Sequence, residues 1–137
     1  MERTTRTGRP AGADGFTLIE MITVVAIMSI LVAIALPNYK VSIIQSKEAV
    51  LKEDLYRFRD LIDQYYSDKG RYPESLEVLV TDGYLRKLPN DPMTNQPNWE
   101  LVPAEPDPDN PDEQPGVYDV HSSSDQLSMN GTPYNTW

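Results

Sequence analysis

Residues 15–36 read Gly15-Phe16-Thr17-Leu18-Ile19-Glu20 and then MITVVAIMSILVAIAL, ending at Leu36. The 21 residues that start at Phe16 hold one charge, Glu20. A helix needs about 20 mostly apolar residues to cross a hydrocarbon core of about 30 Å, so residues 16–36 have the length and composition of a membrane span. Upstream lie Arg3, Arg6 and Arg9 with no apolar run. Arginines on that side predict a cytoplasmic N-terminus and a polar body on the far side of the membrane. A secretory signal places its small-residue cleavage site after the apolar core. Here Gly15 stands before it, so a cut after Gly15 leaves the apolar segment on the mature chain as an anchor.

Glu20 is the exception inside this segment. A carboxylate at the centre of a membrane helix costs about 2.5–3.5 kcal/mol on insertion scales. Residues 16–36 contain no Lys, Arg or His to pair with it. The nearest cation available is the α-amino group of a chain cut before Phe16, on the same or a neighbouring copy.

Pro37 follows the apolar run and removes one helical hydrogen bond, which predicts a kink or local loosening. Beyond it Leu51, Leu55, Phe58, Ile62 and Tyr65 recur at steps of four and three, an amphipathic stripe. Lys52, Glu53, Asp54, Arg57, Arg59, Asp60, Asp63 and Gln64 fill the solvated face. Gly70 after Lys69 is a helix stop. These signals predict one long helix over about 17–69, its stripe packed as core against a small sheet. A short helix is expected over 74–81, a turn at Asp82-Gly83, and strands over 99–102 and 117–120. Between the strands, residues 103–116 contain five prolines and Glu105, Asp107, Asp109, Asp112 and Glu113, which exclude a regular element. The acidic run from Asp107 to Asp112 reads as a solvated loop.

The 137 residues suit one ordinary domain. No Cys and a single His, His121, exclude disulfides, thiol catalysis and a multi-histidine metal centre. A net charge of −9, with no Lys or Arg from Leu88 onward, argues against nucleic-acid binding. No spacing defines a catalytic constellation, so the sequence does not read as an enzyme.

GFTLIE followed by an apolar helix resembles the class III signal of type IV pilins and type II secretion pseudopilins. Further along, YYSDKGRYPESLEVLV, GYLRKLPNDP and YDVHSSSD resemble the major pseudopilin of type II secretion. The resemblance implies an α+β, type IV pilin-like fold: a long N-terminal helix, half membrane-embedded, on a small antiparallel sheet with a loop-rich C-terminal region. It implies a leader over 1–15, a transmembrane and filament-core helix over 16–36, an amphipathic half over 37–69 and a periplasmic globular part over 70–137. It also implies that prepilin peptidase cuts between Gly15 and Phe16 and methylates the Phe16 amine, and that Glu20 pairs with a neighbour's amine during assembly, with Pro37 in the same helix. The implied function is a subunit of a helical pseudopilus that drives secretion across the outer membrane. Its partners would be copies of itself, minor pseudopilins, an inner-membrane assembly platform and prepilin peptidase, with the chain stored as a single-pass inner-membrane protein. A type IV pilin for motility, adhesion or DNA uptake is the alternative in the same class; a membrane-anchored periplasmic calcium-binding module is the alternative in another.

The resembled family binds Ca²⁺ in its C-terminal loop through two Asp side chains and backbone carbonyls. By that likeness Asp125, with Ser122, Ser123 and Asn130, is the candidate ligand set. Two departures stand against it. Ser123-Ser124-Asp125-Gln126 replaces the family's Gly-x-Asp-Gly turn, and no acid follows Asp125. Met93-Thr94 likewise stands where Trp-Gly is expected. The other reading is a turn held by Asp and Ser side-chain hydrogen bonds.

Overall fold

A computed structural model of the chain describes residues 15–106, 108–110 and 114–137. The elements, in order, are α1 (Leu18–Lys69), α2 (Leu76–Thr81), β1 (Glu100–Pro103), β2 (Val117–His121) and a 3₁₀ turn (Tyr134–Thr136). The architecture is α+β and type IV pilin-like. The chain divides between Tyr39 and Lys40 into two compact units.

In the first unit α1 is helical from Leu18, and its side chains are exposed throughout. It is the one described helix long and apolar enough to cross a membrane. Pro37 sits inside the helix without interrupting it. Its missing N–H leaves the Ala33 carbonyl without the usual donor, while the Asn38 side-chain amide donates to the Ile34 carbonyl at 3.4 Å. The loosening expected there is therefore not a melted turn.

In the second unit the expected stripe is the helix's buried face: Leu51, Leu55, Phe58, Ile62 and Tyr65 are all buried. Leu76 and Leu79 of α2, Trp99, Val117 and Val120 of the sheet, and Tyr134 complete the core. Phe58 and Trp99 meet edge to face with ring centroids 5.0 Å apart, and the Trp99 indole N–H donates to the Pro89 carbonyl at 2.8 Å. A buried indole keeps its polar end satisfied this way.

Gly70 ends α1 in the left-handed region, φ 72°, with its N–H on the Tyr66 carbonyl at 2.8 Å. α2 begins two residues later than the expected 74, because Ser75 is still extended (φ −156°, ψ 168°). It closes at the expected turn, where the Asp82 N–H reaches the Val78 carbonyl and Gly83 takes φ 83°.

β1 and β2 form a two-stranded antiparallel sheet pairing Glu100 with His121, Leu101 with Val120 and Val102 with Asp119. The register slips between Val102 and Pro103, where proline has no N–H to give the ladder. Each strand runs one residue further toward the C-terminus than expected, and β1 starts one residue later. Gly116 leads into β2 pressed against Tyr72: a Cβ there would lie 2.6 Å from the Tyr72 Cβ and carbonyl oxygen. The next N–H, that of Val117, donates to the Pro73 carbonyl at 2.7 Å. Of the expected solvated acidic run, Pro108, Asp109 and Asn110 are exposed; Asp107, Pro111 and Asp112 lie outside the described residues.

Candidate functional site

The candidate processing residues and Glu20 lie at the start of α1, and Pro37, the other assembly candidate, lies further along the same helix. Gly15, Phe16 and Glu20 are all exposed, and the rest of the expected leader lies outside the described residues. Thr17 is the helix N-cap: its hydroxyl accepts the Glu20 N–H at 3.2 Å, and its carbonyl accepts the Met21 N–H at 3.2 Å. Thr17-x-x-Glu20 thus has the spacing of a capping box, a local signal the sequence reading passed over. Glu20 stands in the first turn, where the positive end of the helix dipole favours a carboxylate. The hydroxyls of the apolar segment are satisfied within the helix, Thr23 on the Ile19 carbonyl and Ser29 on the Val25 carbonyl, both at 2.7 Å. Glu20 is left as the single charge there.

The candidate calcium residues lie in the segment after β2. Ser122 is buried and turned inward: its hydroxyl donates to Asp91 Oδ2 at 2.5 Å. Its oxygen also accepts the Ser124 N–H at 3.2 Å. Ser123, Asp125 and Asn130 are exposed. The structure thus turns Ser122 inward onto Asp91 and leaves the other three at the surface. Ca²⁺ takes six to eight oxygens, rich in carboxylate. One exposed carboxylate, with a neighbouring hydroxyl committed to another acid, fits that ion poorly. Among the described residues no three His, Asp or Glu side chains are grouped to hold a metal.

Two buried acids escaped the sequence reading. Glu48 is 8% exposed, and its Oε1 accepts both the Met129 N–H and the Tyr134 hydroxyl at 2.9 Å. Burial, and then the bond to Glu48, push the Tyr134 hydroxyl up to about 12. Asp91 is 0% exposed, and its Oδ1 accepts the Met93 N–H at 2.8 Å. Glu48 continues the apolar stripe three residues before Leu51, so an acid on that face was the available clue. On the sheet, the Arg59 guanidinium donates to Asp119 at 2.7 Å. Burial alone would raise the Asp119 carboxyl, but the bonds from Arg59 and the Val120 N–H hold it below the ordinary range. His121 faces the Trp137 main-chain oxygen through Nδ1 and stands 3.8 Å from Asp119 through Nε2.

An exposed apolar helix opened by Gly-Phe and a first-turn Glu, followed by a small α+β body, fits a membrane-anchored protein. Residues 12–36 match the family model described as the prokaryotic N-terminal methylation motif. The type II secretion system core protein G of Pseudomonas aeruginosa is 37% identical over 107 residues, 66% of this chain and 75% of that protein. The protein of the same name from Klebsiella michiganensis is 32% identical over 104 residues, 64% of this chain and 72% of that protein. That of Escherichia coli K12 is 29% identical over 131 residues, 84% of this chain and 83% of that protein. No solved structure matches the chain. The chain belongs to the type II secretion system core protein G family.

Proposed function

We propose that the chain is the structural subunit of a pseudopilus, assembling with copies of itself into a helical fibre that moves folded proteins across the outer membrane. One observation carries this reading: a helix that is apolar and exposed throughout its first half, with a single carboxylate in its first turn, in a chain of the core protein G family. Such a surface must lie in lipid or against like helices. Its work is assembly, with no bond made or broken by its own side chains. Stored subunits would be single-pass inner-membrane proteins with a cytoplasmic N-terminus and a periplasmic body, as the upstream arginines favour. Prepilin peptidase, an assembly platform and minor pseudopilins would be the partners.

Electron microscopy of sheared fibres, with intact-mass measurement of their subunit, tests the proposal. Subunits should begin at Phe16 and carry one N-methyl group. Losing residues 1–15 removes three arginines and two acids, so formal charge moves from −9 to −10. Fibres whose subunits retain residues 1–15, or no fibres where the secretion machinery is complete, would overturn it.

A further inference from the structure

We infer that this chain fastens its C-terminal loop by hydrogen bonds to two buried carboxylates, Glu48 and Asp91, and holds it there without a bound cation. The inference goes beyond the assembly reading and does not depend on it.

The two acids receive donors from the same stretch of chain. Glu48, on α1, takes the Met129 N–H and the Tyr134 hydroxyl on one oxygen, each at 2.9 Å. Asp91 takes the Ser122 hydroxyl at 2.5 Å on one oxygen and the Met93 N–H at 2.8 Å on the other. Asp91 is itself fixed by its main chain. Its N–H donates to the Gln96 carbonyl at 2.9 Å, and its carbonyl accepts the Asn95 N–H at 2.7 Å. From Ser122 the bonding runs on along the loop, with the Ser124 N–H on Ser122 Oγ at 3.2 Å and the Gln126 N–H on Ser124 Oγ at 3.4 Å. The Ser128–Thr132 turn then closes on itself, the Ser128 N–H meeting the Thr132 carbonyl at 2.8 Å.

The chemistry of this arrangement is opposite to that of a cation site. A cation collects oxygen lone pairs. This loop turns N–H and O–H donors inward, and the acids that receive them belong to other segments. A buried carboxylate is costly unless hydrogen-bonded, and charge-assisted bonds to it are roughly twice as strong as neutral ones. Among the described residues no buried side-chain nitrogen or oxygen lacks a partner, so no buried side-chain acceptor of the loop is left for an ion to satisfy. Asp125, the one acid in the loop itself, is exposed.

The test is amide hydrogen exchange of the full chain in detergent micelles, read on peptides covering 122–137. It is run in millimolar CaCl₂ and in excess EGTA, on the parent and on Tyr134→Phe, Ser122→Ala and Asp125→Asn. None of the three removes a buried acid, so the core is retained. The parent should exchange identically in the two buffers. Tyr134→Phe and Ser122→Ala should speed exchange of these peptides about tenfold in both, the effect of losing one hydrogen bond to a charged acceptor. Asp125→Asn should change nothing. Slower exchange of the parent in CaCl₂ than in EGTA, lost in Asp125→Asn, would overturn the inference. So would unchanged protection in Tyr134→Phe and Ser122→Ala. Fibre formation is not read here, so the outcome leaves the assembly proposal to its own test.

Discussion

Glu48 and Tyr134 are 86 residues apart in sequence and 2.9 Å apart in space, carboxylate to hydroxyl. The pair ties the last described turn to the third quarter of the chain's longest helix. Glu48→Ala should destabilise the fold by about 1–3 kcal/mol for each donor it orphans, the Tyr134 hydroxyl and the Met129 N–H. Tyr134→Phe should cost less, about 1.5 kcal/mol, because the Met129 bond remains. Urea unfolding of the detergent-solubilised variants measures both, and a Glu48→Ala loss no larger than that of Tyr134→Phe would contradict the shared-acceptor geometry.

Glu20→Ala should insert into the membrane as well as the parent or better, since the segment becomes wholly apolar. Fibre assembly should nevertheless fail or slow strongly, because a neighbour's α-amine would be left unpaired in apolar surroundings. Counting fibres after induced assembly, beside membrane fractionation of the same cells, separates the two effects. Thr17 still caps the helix in this variant, so helix loss is not the expected cause.

Gly116→Ala tests the close approach of backbone to Tyr72. The added methyl would meet the Tyr72 carbonyl oxygen at 2.6 Å and its carbonyl carbon at 2.7 Å, backbone atoms that cannot rotate away. Overpacking of this kind costs about 1–3 kcal/mol. The Val117-to-Pro73 hydrogen bond should weaken with it, which hydrogen exchange at Val117 would report.

Stability should depend on pH at both ends of the scale. The Asp119 carboxyl lies below its ordinary value in the fold, so its contribution is complete above the unfolded value, about 3.9. It is lost as pH falls through the lower folded value. Asp119→Asn should therefore flatten the acid limb of a melting-temperature profile. Tyr134 is raised to about 12. Its contribution is complete below the unfolded value, about 10, and fades as pH climbs toward 12, a limb that Tyr134→Phe should lessen without removing, because the bond to Asp68 raises the Tyr84 hydroxyl to about 12 as well. Asp54 works the other way. Burial raises it, with the Arg57 charge opposing and Glu53 and Asp91 adding to the rise, so its part of the stability is greatest at low pH.

The long helix and its buried face were legible because periodicity repeats over many turns: Leu51, Leu55, Phe58, Ile62 and Tyr65 could face only one way. The apolar segment and Glu20 were legible from composition alone. The strands were placed to within a residue and no better, since elements of four and five residues carry too little pattern to set an end. Asp91 was not legible, because its burial is marked only by the distant donors that meet it, and Glu48 offered a single clue, its place on the apolar stripe three residues before Leu51. Gly116 was missed for a similar reason, as its constraint comes from Tyr72 across the fold. The capping spacing of Thr17 and Glu20 was local and readable, but the apolar run beside it dominated the reading.

The self-satisfied hydroxyls of Thr23 and Ser29 have a consequence for transit between environments. Lipid tails and the flanks of like helices are similarly apolar, and association in such surroundings gains little from hydrophobicity. A helix whose hydroxyls are already answered by its own carbonyls distinguishes weakly between the two. If the chain assembles as proposed, partition between bilayer and fibre core would be nearly level along some twenty residues, and the bias toward one or the other would fall on a single ionisable group at the helix mouth. In the proposed fibre, extraction of such a subunit would work against a shallow gradient, and Glu20 would be the residue that gives it direction.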